Sequence, residues 1–398
     1  MTPVYIHACG AHSALGSTLD EIHSSLKRGI SPGMSGERFR LNDDTMVTVG
    51  RAVGTLPSLE AFPSHQQTRN NQLALSALLQ LSDAVNDAKA RFSPDRIAVV
   101  LGSSTSGISD GERALKHHID QGEFPKTYHY HQQELGNLSD FVSDYFGLTG
   151  LHYTVSTACS SSGRVFLTAK RLLKAGLADA VIVGGADSLC ALTVNGFHGL
   201  DSVSPELCNP FGENRNGINI GEAAAFMLLS LEKPSTLAPD QPAIALLGAG
   251  DSSDAHHISA PHPEGDGAER AMRKALDDAH LTARDIGYVN AHGTSTPLND
   301  AMESKAILRT LGEHVPVSST KPLTGHTLGA ASAIEASICW HVLKHALPLP
   351  VSQHQQAHAT DVAPIRLAQL GDTLEKPTIL SNSFAFGGNN ISLIFGHV

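Results

Sequence analysis

Asp95-Arg-Ile-Ala-Val-Val-Leu-Gly-Ser-Ser-Thr-Ser-Gly107 and Asp285-Ile-Gly-Tyr-Val-Asn-Ala-His-Gly-Thr-Ser-Thr-Pro297 share one pattern. An acidic residue leads a short apolar run, and the run breaks into a Gly/Ser/Thr turn. The apolar residues are continuous rather than alternating, which predicts strands covered on both faces. Further runs of this kind are Ala180 to Gly185 and Ala243 to Gly248. Between them lie helical patterns at Arg164 to Leu177, Glu269 to Ala279 and Ala330 to Leu347. In the first of these, Phe166, Ala169, Leu172 and Leu173 fall on one face. Strands alternating with helices predict an α/β protein. Each half also carries a Ser/Thr-rich lead into an Ala-containing helix, Ser156-Thr-Ala-Cys-Ser160 and Ser318-Ser-Thr-Lys-Pro322. The segment Leu231 to Gln241, with Pro234, Pro239 and the adjacent Pro242, reads as the link between two similar halves.

Composition narrows the function. In 398 residues, 28 Lys and Arg against 39 Asp and Glu leave a formal net charge of −11. That argues against general nucleic-acid binding, which needs a dense basic face. No apolar run is long enough for a membrane-spanning helix. Met1-Thr2-Pro3-Val4-Tyr5-Ile6 lacks the basic start and long apolar core of a secretory signal. Cys9, Cys159, Cys190, Cys208 and Cys339 are few, scattered and odd in number. They suit a reducing cytoplasm, with at most one thiol kept for chemistry.

Four short stretches carry chemistry. In Thr157-Ala158-Cys159-Ser160-Ser161-Ser162-Gly163 a thiol sits where a strand turns into a helix. The helix dipole there is expected to lower its pKa. His292 follows an apolar strand directly, held by a Gly/Thr/Pro turn. His326 lies near a helix start, five residues after Lys321, with Glu335 further along. In Asn382-Ser383-Phe384-Ala385-Phe386-Gly387-Gly388-Asn389-Asn390 a double glycine lets backbone amides approach a ligand. Taken singly, each has an ordinary structural reading: an inert buried cysteine, core or capping histidines, a turn between strands. Together they suggest acyl transfer with carbanion chemistry. Cys accepts an acyl group, two neutral imidazoles donate to an enolate or oxyanion, and the glycine loop supplies an N–H.

These stretches resemble the β-ketoacyl-acyl-carrier-protein synthases of the elongating type, in the thiolase superfamily. The matches are Thr157 to Ser161, Ala291 to Pro297, Lys321 through His326 to Glu335, and Asn382-Ser383-Phe384 with Phe386-Gly387-Gly388. Others are Gly184-Gly185-Ala186-Asp187, Pro210-Phe211, Arg215 with Gly217, Gly221-Glu222 and Ser252 to Ala255. The resemblance covers nearly the whole chain. It implies a five-layer αβαβα thiolase fold with halves at about 1–235 and 241–398. Cys159 is then the nucleophile that takes the acyl chain. His292 and His326 promote malonyl decarboxylation and hold the enolate. Lys321 orients His326 and pairs with Glu335. The N–H groups of Cys159 and Phe386 form the oxyanion hole, and Phe386 is the gate. Thr294 and Thr296 hold the pantetheine arm, and Phe384 and Thr105 contribute to substrate binding, Thr105 at the end of the acyl pocket. Asp300 and Glu303 fix the loop. The implied reaction condenses malonyl-carrier protein with the acyl chain and needs no metal or other cofactor. The implied partners are an acyl carrier protein and a second subunit, either a copy of this chain or a chain-length-factor paralogue.

Some positions depart from the pattern. Ala385 and Asn389 stand where Gly and Thr are usual, which predicts a stiffer gate loop. Gly212 and Asn216 replace two aspartates near Arg215. The run His65 to Asn71 holds a single cation, Arg69, so the basic patch for an acidic carrier protein is thin. With Ala14-Leu15-Gly16 and Thr68 to Leu73, these features are similar to the ketosynthases of aryl polyene pigment pathways. Other readings are a housekeeping fatty-acid synthase or a scaffold subunit, the latter disfavoured by the intact Cys159, His292 and His326. A thiolase or initiating synthase is disfavoured because the initiating type carries Cys-His-Asn. The histidine groups His256-His257, His129 with His131, and His354 with His358 lack zinc spacing, so no metal site is expected. The Gly184-Gly185 turn is not a dinucleotide fingerprint.

Overall fold

The computed structural model describes residues 3–36, 38–235, 237–238, 241–355 and 357–398; Pro239, in the expected link, and Met1-Thr2, in the stretch expected not to be a secretory signal, lie outside them. Among the described residues ten strands form one hydrogen-bonded ladder. They are β1 (Val4–His12), β2 (Ile97–Gly102), β3 (His152–Val155), β4 (Ala180–Asp187), β5 (Ala223–Ser230), β6 (Ile244–Ser253), β7 (Tyr288–Asn290), β8 (Val317–Ser318), β9 (Thr378–Phe384) and β10 (Asn389–His397). The order is β3-β2-β4-β5-β1 followed by β6-β10-β9-β7-β8.

The second five strands mirror the first. β2 runs parallel to β3 and β4, while β5 is antiparallel to β4 and β1. Likewise β7 runs parallel to β8 and β9, while β10 is antiparallel to β9 and β6. The two stretches that open the sequence analysis are thus β2 and β7, equivalent strands at the centres of the parallel regions. The halves meet where β1 and β6 share the pairs Val4↔Leu246 and Tyr5↔Ala245.

Eight helices complete the layers around the site. They are α1 (Leu19–Arg28), α2 (Arg69–Leu78), α3 (Asn137–Phe146), α4 (Ser161–Lys174), α5 (Ala191–His198), α6 (Asp266–Ala279), α7 (Pro297–Leu311) and α8 (Ala331–His345). Because side chains alternate along a strand, β2 sends Ala98 and Val100 to one face and Ile97, Val99 and Leu101 to the other. The first face meets Phe166 and Leu173 of α4 and Ile338 and Val342 of α8, which form the middle layer. The opposite face packs on α2 and α3 through Leu73, Leu78, Leu138 and Phe141. On the other side, Val289 of β7 and Leu380 of β9 pack on α6 and α7 through Met272, Ala275 and Ile307. The result is the five-layer αβαβα arrangement that the resemblance implies. No helix among the described residues is long and apolar enough to cross a membrane.

Candidate active site

β3 ends at Val155, and the chain turns through Ala158 before α4 begins at Ser161. Ala158 is left-handed, at φ 53°, a conformation that costs a non-glycine residue of order 1 kcal/mol or more. Ser161 fixes this turn: its Oγ accepts from the Thr157 N–H at 2.8 Å and donates to the Ala158 carbonyl at 2.6 Å. Gly163 lets α4 approach closely, since a Cβ there would lie 2.7 Å from Ile391 and 2.8 Å from Ser332.

The turn places Cys159 inside the protein, 4% exposed. The sequence led us to expect a thiol made acidic by the helix N-terminus. The structure reverses that: burial pushes the Cys159 thiol up to about 11, although the Lys321 charge and the N–H groups of Phe386 and Cys159 pull it down. Removal from water costs the thiolate more than the helix end returns. Those two N–H groups nonetheless both point toward the sulfur.

His326 reaches the sulfur from the other half. Its N–H donates to the Asn219 carbonyl at 2.6 Å and its carbonyl accepts from the Gly221 N–H at 2.9 Å. Gly325 precedes it at φ 72°, and a Cβ there would lie 2.9 Å from the Gly221 Cα. His326 Nε2 lies 3.0 Å from Cys159 Sγ, and Nδ1 accepts from the Leu328 N–H at 3.2 Å. The second contact assigns the proton to Nε2, facing the thiol.

His292 stands at right angles to His326, ring centroids 5.4 Å apart. Buried Lys321 places its ammonium 3.3 Å from His292 Nδ1 and 2.6 Å from Glu335 Oε1, and also donates to the His292 carbonyl. All three ammonium protons thereby have acceptors. Lys321 therefore orients His292, not His326 as the resemblance implied, and an acceptor Nδ1 leaves the His292 proton on Nε2. Burial, followed by the Lys321 charge, holds both imidazoles well below the usual histidine range, so both are neutral. Glu335 continues the network through Ser383 at 3.3 Å to Ser332 at 2.7 Å, and Ser332 reaches the Cys159 carbonyl at 3.4 Å.

The loop under His292 hangs on two buried carboxylates. Glu303 accepts from the N–H groups of His292 and Gly293 at 2.8 and 2.7 Å, and Asp300 from those of Phe211 and Ser295 at 2.7 and 3.1 Å. Burial raises Glu303 to about 7 and Asp300 to about 6.

A cavity of about 240 Å³ opens over these groups. Cys159, His292, His326, Thr294, Thr296, Phe384 and Phe386 all line it. The hydroxyls of Thr294 and Thr296 lie 2.8 Å apart. Lys321 and Glu335 stand behind the histidines. Thr105 is not brought to this cavity: its N–H and Oγ1 both donate to Asp187 Oδ1, at 2.8 and 2.9 Å.

Several departures from the family pattern have local explanations. Ala385 is extended, at φ −96° and ψ 154°, so it needs no glycine; Gly387 and Gly388 take the left-handed positions. Arg215 is held by the distant Asp361, at 2.8 and 2.7 Å, rather than by aspartates in its own turn. Arg69 is not a free docking cation, because it forks onto buried Glu222 at 2.9 and 2.5 Å.

Four contributors were given no role by the sequence, although Asp187 and Ser383 lie inside matched stretches. Asp187 also accepts from the N–H groups of Ser104 at 2.8 Å and Ala330 at 3.0 Å, tying the turn after β2 to the start of α8. Ser332 and Ser383 bridge Cys159 to Glu335. Phe197 of α5 packs on Phe386, with centroids 5.4 Å apart. The signal available for Asp187 was an acid ending an otherwise apolar strand, and for Ser383 its place in the matched Asn382-Ser383-Phe384 stretch; Ser332 and Phe197 lie in runs with no such mark.

The fold and the paired histidines beside a buried thiol define an acyl-condensing enzyme of thiolase architecture. The N-terminal domain model of beta-ketoacyl synthases matches residues 1–234, and the C-terminal domain model matches 244–355. A 3-oxoacyl-[acyl-carrier-protein] synthase 2 of Staphylococcus aureus (strain COL) is 34% identical over 349 residues, 82% of each chain. The Vibrio cholerae enzyme of the same name is 31% identical over 98% of each chain. A solved ketosynthase (ApeO) from Xenorhabdus doucetiae, in complex with its chain length factor (ApeC), superposes with a TM-score of 0.94 at 46% identity, covering 100% of this chain and 98% of that one. The chain belongs to the beta-ketoacyl synthase family and is a β-ketoacyl-acyl-carrier-protein synthase that acts in chain elongation.

Proposed function

We propose that Cys159 carries the growing acyl chain and that His292 and His326 drive the condensation. One observation carries this reading: two neutral imidazoles, each with Nε2–H free of its own Nδ1 contact, lie with the Cys159 sulfur in a cluster spanning 4.8 Å. In the first step the Cys159 sulfur attacks the thioester carbonyl of acyl-pantetheine. The carbon–sulfur bond to pantetheine breaks, and the thiol proton passes to the departing sulfur. In the second step malonyl thioester loses CO2, and the electron pair moves onto the thioester oxygen as an enolate. The two Nε2–H donors hold that oxygen without protonating the carbon. The enolate carbon then attacks the Cys159 thioester, whose oxyanion is met by the N–H groups of Cys159 and Phe386. Collapse releases the β-ketoacyl product and a Cys159 thiolate, which takes one proton. These steps call for no cofactor beyond the carrier protein's phosphopantetheine. Lys321, oriented by Glu335, keeps Nδ1 of His292 an acceptor and both rings neutral. Thr294 and Thr296 hold the pantetheine arm, and Phe386, packed on Phe197, gates Cys159. We assign the nucleophile to a half spanning 1–235 and the histidines to one spanning 241–398.

We infer the pathway from the sequence features shared with aryl polyene ketosynthases, and the relative at 46% identity, solved in complex with its chain length factor, supports the pairing with such a subunit. This chain pairs with such a paralogue and with an acyl carrier protein, and it extends aryl-primed polyenoyl chains in the cytoplasm. Leu115, Ile119, Phe124 and Leu192, all exposed, offer the apolar face that a second subunit would cover. The test is intact mass after exposure to saturated, polyenoyl and aryl-primed carrier proteins, with and without a co-expressed paralogue. A Cys159-dependent gain supports the acyl-enzyme, and the preferred donor identifies the pathway. Preference for saturated chains without a paralogue would instead mark a housekeeping enzyme. No gain under any condition would sink the catalytic reading and leave a scaffold.

A further inference from the structure

A second histidine cluster lies away from the cavity. His23 sits on α1, which a Thr18–Glu21 capping box starts and left-handed Gly29 ends. His341 and His345 sit on α8, four residues apart and therefore on one face. His23 Nε2 lies 3.2 Å from His341 Nδ1. One ring nitrogen from each of the three lies within 4.8 Å of the other two. His341 is buried, His23 half-buried and His345 exposed, so the cluster opens to solvent on one side. The Trp340 ring edges both His341 and His345.

The His23–His341 pair is a hydrogen bond between two ring nitrogens, and its spacing also fits two ligands of one metal ion. Zinc binds imidazole nitrogens at about 2.0–2.1 Å, so two ligands on a tetrahedron stand about 3.3–3.4 Å apart. The His23–His341 spacing is already that edge, and exposed His345 is free to swing in as the third ligand. Lys27 and Lys344 oppose a cation here, and Asp20 favours one.

We propose that His23, His341 and His345 bind a divalent late transition-metal ion of the zinc type, with water as the fourth ligand. The ion clamps α1 to the C-terminal end of α8, the helix whose first turns carry Ser332 and Glu335. Sequence spacing could not reveal the site, because His23 and His341 are 318 residues apart.

The test uses the untagged full-length chain, stripped with chelator. Zn2+ is titrated calorimetrically and Co2+ by visible absorption. Uptake of one equivalent, with the strong absorption of tetrahedral Co2+, is the expected result. Second-shell losses alone cost roughly 10–100-fold in metal affinity, so His23→Gln and His345→Gln should each weaken binding at least about tenfold. Both positions lie toward the surface, and condensing activity should persist in both variants. No stoichiometric uptake by the unmodified chain would overturn the proposal. Uptake that survives both substitutions, or that is lost in Cys159→Ala instead, would also overturn it by placing the ion elsewhere.

Discussion

β4 ends on Asp187; β9, at the matching place in the other half, ends on Phe384 and leads into Phe386. The same contrast holds at the other strand ends. After β2, Ser103, Ser104 and Thr105 close around the Asp187 carboxylate, whereas after β7 His292 and Thr294 face the cavity. After β3 comes the thiol, and after β8 come Lys321 and His326. In the proposed mechanism, one half holds the reacting sulfur and its other strand ends serve as anchors, while the other half provides the histidine donors, the Lys321 charge and the proposed gate. The lesson is that a repeated scaffold leaves three equivalent positions per half free to diverge, because the ladder rather than the turns holds the sheet together.

Cys159→Ala should break this division most severely. Carrier-protein acylation should vanish and condensation should fall by about 10⁴-fold or more, read by intact mass and product formation. His292→Ala should cut malonyl decarboxylation by roughly 10²–10³-fold, in line with losing one oxyanion donor, while Cys159 still becomes acylated. If both activities fell together, the separation of roles between halves would be wrong. Glu335→Ala should leave the Lys321 ammonium without its carboxylate in a buried site, costing about 3–5 kcal/mol. A thermal melt unchanged by this substitution would refute the pairing as a structural need.

The buried thiol gives a pH test. A thiol raised to about 11 stays protonated near neutrality and deprotonates as pH rises. Alkylation of Cys159 should therefore quicken about tenfold per pH unit between pH 7 and 9. A plateau below pH 8 would restore the helix-end expectation. The smallest effect is expected at Ala385→Gly. Because φ at 385 is negative, glycine gains nothing there and should cost about 0.5–1 kcal/mol or less, with activity within about twofold.

Much of this was legible in sequence. The apolar runs marked β2, β4, β6 and β7, and the resemblance between Asp95–Gly107 and Asp285–Pro297 located equivalent strands. Cys159, His292, His326, Lys321 and Glu335 stood in recognisable stretches, and the structure brings them together. What escaped was whatever depends on burial or on distant chain. The direction of the Cys159 shift needed the depth of the thiol. The anchoring of Thr105 needed Asp187 across a strand pair. The commitment of Arg69 needed Glu222, and the replacement of two local aspartates needed Asp361. His23 and His341 have no relation in sequence at all.

The pairing of β1 has a consequence for how the protein is made. Val4–His12 finds its long partner only in Ala223–Ser230, and its short one in the strand that follows. At about 5–20 residues per second, a ribosome needs roughly 10–45 s to synthesise the stretch between them. For that interval the first strand can reach its helical neighbours at Ser76 and Gln80 but has no partner strand, and closing such a distant pair is intrinsically slow. The nascent chain should therefore depend on chaperones most heavily before β5 emerges. Pulse-labelled ribosome-bound chains cut before and after residue 230 should show the loss of chaperone association that marks the strand's capture.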